Sequence, residues 1–124
     1  MKKLILLLTI FCMSKVILDA QIKSDSTYKP EIIILKSLSI ENGKIKFTSE
    51  TGGCTDKSSF RTSVSKENSE KQKFPHYILT IKRIKPDYCK AFLSDGVNIE
   101  FDLEKDCGIT GSSTITVLNP VMSK

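Results

Sequence analysis

Apolar and polar residues alternate in short segments along most of the chain, and a period of two is the period of a β-strand. The clearest segment is 97–103, in which every second residue is apolar and the residues between are polar. Such a strand buries one face and exposes the other to water. Shorter segments of the same kind lie at 38–40, 45–47, 60–64, 77–81 and 115–117, and no long helical period is seen.

Three segments depart from simple alternation. Residues 32–35 form a β-branched apolar run, which predicts a strand buried on both faces. In the strand that begins near position 77, Ile78 and Ile84 add apolar groups to the second face, which favours a central place in a sheet. The alternation is weaker over residues 88–94, where Ala91 and Leu93 indicate a short strand.

Turn residues separate these strands. Asn42-Gly43 and Asp95-Gly96 are hairpin signals, because Asn, Asp and Gly accept the positive φ of a type I′ turn. Gly52 and Gly53 break the chain after one predicted strand, and residues 66–73 form a polar connection. Residues 102–106 can close as one helical turn.

This pattern predicts an all-β fold, a small antiparallel β-sandwich of about seven strands with Greek-key or immunoglobulin-like topology. A partly open barrel is the alternative. A true immunoglobulin domain is disfavoured because the chain has no tryptophan to pack on a disulfide. In addition, Tyr88 lies directly before Cys89, whereas a tyrosine corner lies two residues before its cysteine.

The first 20 residues have the pattern of a secretory signal peptide. Two lysines precede an apolar stretch at 4–13 that is too short to span a membrane, and Ala20 offers a small residue for cleavage. We therefore divide the chain into a cleaved signal peptide at 1–20, a flexible lead-in at 21–30 and a single β-sandwich domain at 31–124. An uncleaved N-terminal anchor is the alternative. After cleavage, no transmembrane segment is expected.

Length and charge exclude several classes of protein. The 124 residues suit one domain and exclude folds that need roughly 200 residues or more. The net charge of +5 becomes +3 once the three lysines and one aspartate of the signal are removed. With only two arginines, this charge indicates ordinary solubility, and no nucleic-acid partner is expected. The signal predicts a periplasmic or extracellular location, and the composition fits a bacterial source.

The cysteines predict one disulfide. Cys12 lies in the signal, so Cys54, Cys89 and Cys107 remain, and an exported chain oxidises suitable pairs. Three pairings are possible. We favour Cys54 with Cys89, because one precedes a predicted strand and the other follows a neighbouring strand. That bridge closes a loop of 35 positions and stabilises the fold by ~3–4 kcal/mol. Cys107 lies in a predicted turn, where it is free, buried or paired with another protein.

Residues that could carry catalysis or bind a metal are sparse. His76 is the only histidine, and no nucleophile signature lies beside it. Residues 63–66 match the S-x-x-K motif of penicillin-recognising enzymes, but K-T-G is absent and the chain is too short for that fold. The sequence has no zinc-ligand spacing, EF-hand loop or phosphate-binding loop. We therefore predict no enzymatic activity, no metal and no cofactor.

Two charged, turn-rich loops are the least generic parts of the chain. Each contains one of the two cysteines predicted to pair, so a bridge would make the loops neighbours. A loop made rigid by a disulfide loses less entropy on binding, and we expect a partner surface there. Its candidate residues are Asp56, Arg83, Asp87 and Tyr88. The alternative is that Arg83 and Asp87 only pair with each other.

Three functions follow from these observations. The first is a small exported, non-catalytic binding or accessory protein that contacts a protein or glycan of the cell envelope or the secreted fraction. The second is an inhibitor of a secreted hydrolase such as a protease or a lysozyme. An enzyme is the third and the least expected, because acid–base pairs and metal ligands are missing.

Overall fold

A computed structural model describes residues 28–123 of the chain. The predicted signal peptide and the part of the lead-in at 21–27 lie outside the described residues. Seven strands are present in the described part, and a short 3₁₀ turn, Lys57–Ser59, precedes the fourth. The strands are β1 (Glu31–Ile32), β2 (Ser37–Glu41), β3 (Lys44–Ser49), β4 (Phe60–Glu67), β5 (His76–Arg83), β6 (Val97–Asp102) and β7 (Thr114–Val117). Between residues 28 and 123, no helix has the length and apolar character needed to cross a membrane.

One sheet has the order β2-β3-β6, and both of its strand pairs are antiparallel. β2 and β3 form the hairpin that the Asn42-Gly43 signal predicts. Asn42 has φ 51° and Gly43 has φ 72°, so both turn residues adopt the positive φ of the predicted turn. The register places Leu38 opposite Phe47 and Glu41 opposite Lys44.

The other sheet is built around β5, which confirms the central place predicted for that strand. β4 pairs with β5 along its whole length in antiparallel orientation. The opposite edge of β5 is shared: β1 pairs antiparallel with its end, and β7 pairs parallel with its start. The parallel pair begins at His76 and Thr114, whose side chains are hydrogen-bonded through His76 Nδ1 and Thr114 Oγ1 at 2.7 Å.

The side chain of Asn119 fills the gap between β1 and β7 on this edge. Its Oδ1 accepts a hydrogen bond from the Ile81 N–H at 2.7 Å, and its Nδ2 donates to the Ile81 carbonyl at 2.8 Å. Nδ2 also donates to the Ile33 carbonyl at 2.9 Å. Asn119 is only 5% exposed, so these bonds replace the strand contacts that buried backbone groups require.

A single hydrophobic core takes side chains from both sheets. Phe47 lies at its centre, with its ring edge-to-face on Phe60 at 5.4 Å and stacked with Phe101 at 6.0 Å between centroids. Phe60 belongs to the sheet of β5, and the other two belong to the sheet of β3. The remaining core residues are Ile33, Leu35, Ile45, Leu79, Ile81, Ile99, Leu103 and Ile109.

The structure corrects the prediction that residues 32–35 form a strand buried on both faces. Only residues 31 and 32 form a strand, and the run is buried on one face instead of both. Ile33 and Leu35 enter the core, whereas Ile32 is 56% exposed and Ile34 is 60% exposed. The physical reason is that the segment crosses from one sheet to the other: Ile32 pairs with Lys82 in the first sheet, and the Lys36 N–H donates to Thr48 in the second. Among residues 28–123, no layer covers the outer side of this crossing, where Ile32 and Ile34 lie.

Two further predictions are wrong in the stretch before β6. Residues 88–94 form no strand, and Asp95-Gly96 is therefore a turn without a hairpin. The turn is closed by the Gly96 N–H, which donates to the Leu93 carbonyl at 3.1 Å. β6 pairs with β3 instead of with a strand at residues 88–94. Gly96 has φ 76°, and a Cβ there would overlap the Ser49 carbonyl oxygen, so glycine is needed for this close approach.

We expect the change Asn119→Ala to destabilise the fold by about 3 kcal/mol, because it leaves buried backbone groups of Ile81 and Ile33 without partners. Urea unfolding followed by circular dichroism measures this loss. Asn68→Ala, an exposed change in the β4–β5 connection, is the matched control and is expected to cost less than about 0.5 kcal/mol. Equal losses in the two variants would contradict the role assigned to Asn119.

Candidate functional site

A disulfide joins Cys54 to Cys89, the pairing that the sequence favours. Cys54 lies in the loop between β3 and the 3₁₀ turn, and Cys89 lies in the loop after β5. Their Cα atoms are 5.5 Å apart. The bridge makes residues 50–56 and 86–94 neighbours, and we call this part of the fold the disulfide end.

The carboxylate of Asp87 organises the disulfide end. Its Oδ1 accepts a hydrogen bond from the Cys89 N–H at 3.0 Å, which shapes the loop that Asp87 itself begins. Its Oδ2 accepts four more, all from the facing loop: Thr51 Oγ1 (2.9 Å), Gly52 N (2.8 Å), Cys54 N (3.3 Å) and Thr55 Oγ1 (2.6 Å). One side chain thus holds both loops in a fixed relation, as the disulfide does nearby.

These hydrogen bonds stabilise the ionised form of Asp87. The Thr55 hydroxyl contributes most to holding the pKa of Asp87 well below its usual range, and Thr51 and the N–H groups of Gly52 and Cys89 act in the same direction. Partial burial opposes them and raises the pKa of Asp87, but it does not prevail. The carboxylate is therefore charged at any pH at which the protein is ordinarily handled.

Close backbone packing between the loops depends on Gly52. A Cβ at this position would overlap the Cys89 carbonyl oxygen, so no other residue fits without moving the chain. The Ala91 N–H donates to the Gly52 carbonyl at 2.9 Å and adds a second main-chain tie. Farther along, Lys36 Nζ donates to the Ser94 carbonyl at 2.8 Å. The loop that carries Cys89 is thus anchored at several points along its length.

Arg83 and Asp87 are linked through Thr55 and form no direct ion pair in the described part of the chain. Arg83 Nη1 donates to Thr55 Oγ1 at 3.0 Å, and Thr55 Oγ1 in turn donates to Asp87. Arg83 Nη2 donates to the Glu50 carbonyl at 3.0 Å and reaches Ser49 Oγ at 3.4 Å. The guanidinium lies 4.9 Å from the centroid of the Phe60 ring. Arg83, at the end of β5, thus stabilises the loop of residues 50–56 through these hydrogen bonds.

The other two predicted surface residues differ from each other. Asp56 caps the 3₁₀ turn, because its Oδ1 accepts hydrogen bonds from Ser58 N at 2.8 Å and Ser58 Oγ at 2.6 Å. The Ser58 hydroxyl is the main reason that the pKa of Asp56 is lowered. Tyr88 makes no such contact and is 84% exposed. Of the four predicted residues, Arg83 and Asp87 hold the disulfide end together, Asp56 caps the adjacent 3₁₀ turn and Tyr88 faces solvent.

Sequence reasoning missed Phe92, which is 94% exposed. The loop is exposed along most of its length: Cys89 is half-buried in the bridge, whereas Tyr88, Lys90, Ala91 and Phe92 are exposed. We call residues 88–92 the display segment. The available signal was the spacing of two aromatic residues on either side of a bridged cysteine, which a strand prediction through Ala91 and Leu93 obscured.

Three cavities flank the disulfide end, and Glu50 lines all of them. One lies beside the display segment and is also lined by Lys36, Thr51 and residues 91–94. Another is bordered by Thr51, Gly52, Pro86 and Asp87. The third, which we call the Glu50 cavity, has a volume of about 400 Å³. Its lining residues are Glu31, Ile32, Ile33, Ile34, Ser49, Glu50, Arg83 and Met122.

The side chains with groups that could bind a metal ion or act in catalysis already make other contacts. Cys54, Asp87 and Cys89 bring their ligand atoms within 4.8 Å of one another, but the two sulfurs are joined and the carboxylate already accepts five hydrogen bonds. His76 contacts threonine hydroxyls of β7 through both ring nitrogens. Cys107 lies half-buried, 3.7 Å from Thr62 Oγ1, and burial raises the pKa of its thiol.

A scan against protein-family models, a search of curated proteins and a search of solved structures each found no match to this chain.

We expect Asp87→Asn to lower the urea midpoint at pH 7, because an amide group would present N–H donors to the donors that now meet a carboxylate. Since the pKa of Asp87 is lower in the folded state, its stabilisation is present above the unfolded pKa of about 4 and is lost as the pH falls further. The difference in urea midpoint between the unaltered protein and Asp87→Asn should therefore become smaller below about pH 4.

Urea midpoints measured between pH 7 and pH 2 test this pH dependence. Asp95→Asn, an exposed change at the end of the same loop, should show little difference from the unaltered protein at every pH. A difference for Asp87→Asn that stays constant over the whole range would show that its charge does not stabilise the disulfide end.

Proposed function

We propose that this protein is a small exported, non-catalytic binding or accessory protein, with its two sheets packed as a β-sandwich, and that it binds a partner through the disulfide end. The observation that carries the proposal is the display segment, which holds Tyr88 and Phe92 in solvent on an anchored loop. Large aromatic side chains are costly to expose and dominate the energetics of protein interfaces when buried. A protein of the cell envelope or secreted fraction is the partner that fits these side chains.

Rigidity strengthens this argument. The display segment is fixed by the disulfide, by the Asp87 carboxylate and by the main-chain bond between Ala91 and Gly52. A loop that is already ordered loses little conformational entropy when it binds, so more of the contact energy appears as affinity. Several contacts anchor a loop whose aromatic side chains, Tyr88 and Phe92, do not belong to the core. Such an arrangement favours a role in recognition, because the fold itself does not need these side chains.

Export is supported by the same bridge. Disulfides persist in oxidising compartments such as the periplasm and the extracellular space, and they are rare in the cytosol. The basic and apolar pattern of residues 1–20 is that of a signal that directs a chain to such a compartment. We therefore place the protein, after cleavage, in the periplasm or outside the cell.

Inhibition of a secreted hydrolase is the second candidate, and the exposed side chains of the display segment favour it. Tyr88, Lys90 and Phe92 are all exposed on a loop tied down by the bridge. Exposed aromatic side chains are buried most completely in a concave cleft, and enzyme active sites are concave. Inhibition of a purified hydrolase by the protein would distinguish this function from accessory binding.

We expect Tyr88→Ala and Phe92→Ala each to weaken partner binding at least about tenfold, because aromatic anchors at interfaces often contribute ~2 kcal/mol. The exported chain is used without reductant to capture envelope and secreted proteins, and a protein identified by mass spectrometry is then purified for affinity measurements. Phe74→Ala, a change of an exposed phenylalanine in the β4–β5 connection, is the matched control. If Phe74→Ala weakens binding as much as Phe92→Ala, the display segment is not the binding surface.

We also expect the exported protein to begin at Gln21, because Ala20 is the small residue at the predicted cleavage point. N-terminal sequencing of the protein recovered outside the cytoplasm measures this. An intact Met1 on exported protein would contradict cleavage and favour an N-terminal anchor.

A further inference from the structure

The cavity beside the display segment, which we call the Phe92 cavity, has a volume of about 430 Å³. Small-molecule sites have volumes of roughly 300–1,000 Å³. Of the three cavities at the disulfide end, this one alone is lined by residues of the display segment, Ala91 and Phe92. Phe92 has the most exposed of the large apolar side chains in residues 28–123, so its ring is open to a ligand in the cavity.

Lys36 and Glu50 bring opposite charges to the lining of the Phe92 cavity. In the described part of the chain two ion pairs are present, and neither includes Lys36 or Glu50. Lys36 Nζ donates one N–H to the Ser94 carbonyl at 2.8 Å, and two of its N–H groups remain for a ligand. Among residues 28–123, no hydrogen bond occupies the carboxylate of Glu50, whose main-chain carbonyl accepts from Arg83. The cavity therefore offers separate donors and acceptors beside an aromatic ring.

Both charged residues lie on anchored parts of the chain. The Lys36 N–H donates to the Thr48 carbonyl at 2.8 Å, and the stem of its side chain lies over Gly96, where a Cβ would come within 3.2 Å of Lys36 Cδ. The Glu50 carbonyl is held by Arg83 Nη2 at 3.0 Å. A ligand would therefore meet groups whose main chain is already ordered, which lowers the entropy lost on binding.

We propose that the Phe92 cavity binds a neutral pyranose unit of a glycan. The apolar C–H face of the sugar ring would stack on Phe92, because the face of an aromatic ring is negative and attracts weakly positive hydrogens. A hydroxyl group both donates and accepts, so the sugar can accept from Lys36 and donate to Glu50 without bringing a net charge. The inference goes beyond the proposed function, because a sugar can bind here whether or not a protein contacts Tyr88.

Other ligands match the lining less well. An anion attracted by Lys36 is repelled by Glu50, and a cation meets the reverse. A purely apolar group would cover Phe92 but would remove water from two charges without giving either of them a partner. A free amino acid carries both charges on one carbon atom, whereas Lys36 and Glu50 do not contact each other. Hydroxyl groups spaced around a ring can reach both.

The test is an NMR titration of the backbone amides of the exported chain. The neutral probes are the methyl pyranosides of glucose, galactose, mannose and N-acetylglucosamine. At least one of them is expected to shift the amides of Phe92, Leu93 and Ser94 to saturation. The methyl glycosides of glucuronic acid and glucosamine carry a negative and a positive charge, and each should bind at least about threefold more weakly than the best neutral probe.

Variants then locate the contacts. Phe92→Ala removes the stacking surface, Lys36→Met keeps the stem without the donors, and Glu50→Ala removes the acceptor. Each should weaken binding of the best neutral probe about fivefold or more. Phe74→Ala and Glu70→Ala, in the exposed β4–β5 connection, are the matched controls and should leave binding unchanged.

Four results would overturn the inference. The first is the absence of amide shifts with all four neutral probes. The second is tighter binding of either charged glycoside, which would assign the cavity to an ion. The third is tighter binding of free phenylalanine, which would assign it to an amino acid. The fourth is a loss of sugar binding in Tyr88→Ala as large as in Phe92→Ala, which would place the sugar outside the cavity.

Failure of this inference and failure of the proposed function give different results. Capture of a protein that depends on Tyr88 and Phe92, together with no binding of any pyranoside, would retain the proposed function and reject the sugar site. Pyranoside binding that depends on Lys36 and Glu50, together with capture of no protein, would retain the sugar site and reject the protein partner.

Discussion

A single carboxylate fixes the disulfide end of the molecule. Asp87 accepts hydrogen bonds from both loops of the disulfide end, and without it the donors of Thr51, Gly52 and Thr55 would lose their common acceptor in the other loop. The disulfide constrains one point, whereas the carboxylate constrains the path of the chain on either side of it. Arg83 gains its position from the same arrangement, because Thr55 accepts its hydrogen bond while donating to Asp87. The shape of the loop is therefore set by electrostatics as well as by a covalent bond.

This arrangement separates the residues that hold the surface from those that can make contacts. Arg83 and Asp87, which the sequence suggested as contact residues, form hydrogen bonds that hold the loops together. The aromatic side chains of Tyr88 and Phe92 lie on the outside. Tyr88 and Phe92 can be changed with little expected effect on folding, because neither belongs to the core. Asp87 and Gly52 cannot be changed so freely, because the loops pack against them. Under the proposed function, binding specificity can therefore vary while the scaffold stays constant.

Much of the fold could be predicted from alternation and turn chemistry, and less of the site. The hairpin at Asn42 and the central position of β5 follow from local patterns, and both are present. The sequence left three cysteine pairings possible, and the favoured pairing of Cys54 with Cys89 is the one present. The crossing at residues 32–35 could not be predicted, because burial there depends on which sheet the chain leaves and enters. The roles of Asp87 and Phe92 depend on a contact between distant loops, and no local pattern encodes that contact.

The buried amide of Asn119 also bears on when the chain can fold. It lies 86 residues along the chain from Ile33 and joins that residue to the central strand. The sheet of β5 therefore lacks part of its edge until residue 119 has been synthesised. Contacts between such distant positions slow folding, because the loop between them must be closed first. Under the proposed export, a growing chain that has not yet reached residue 119 is incompletely folded, and that is the condition in which a protein can still be threaded through a membrane channel.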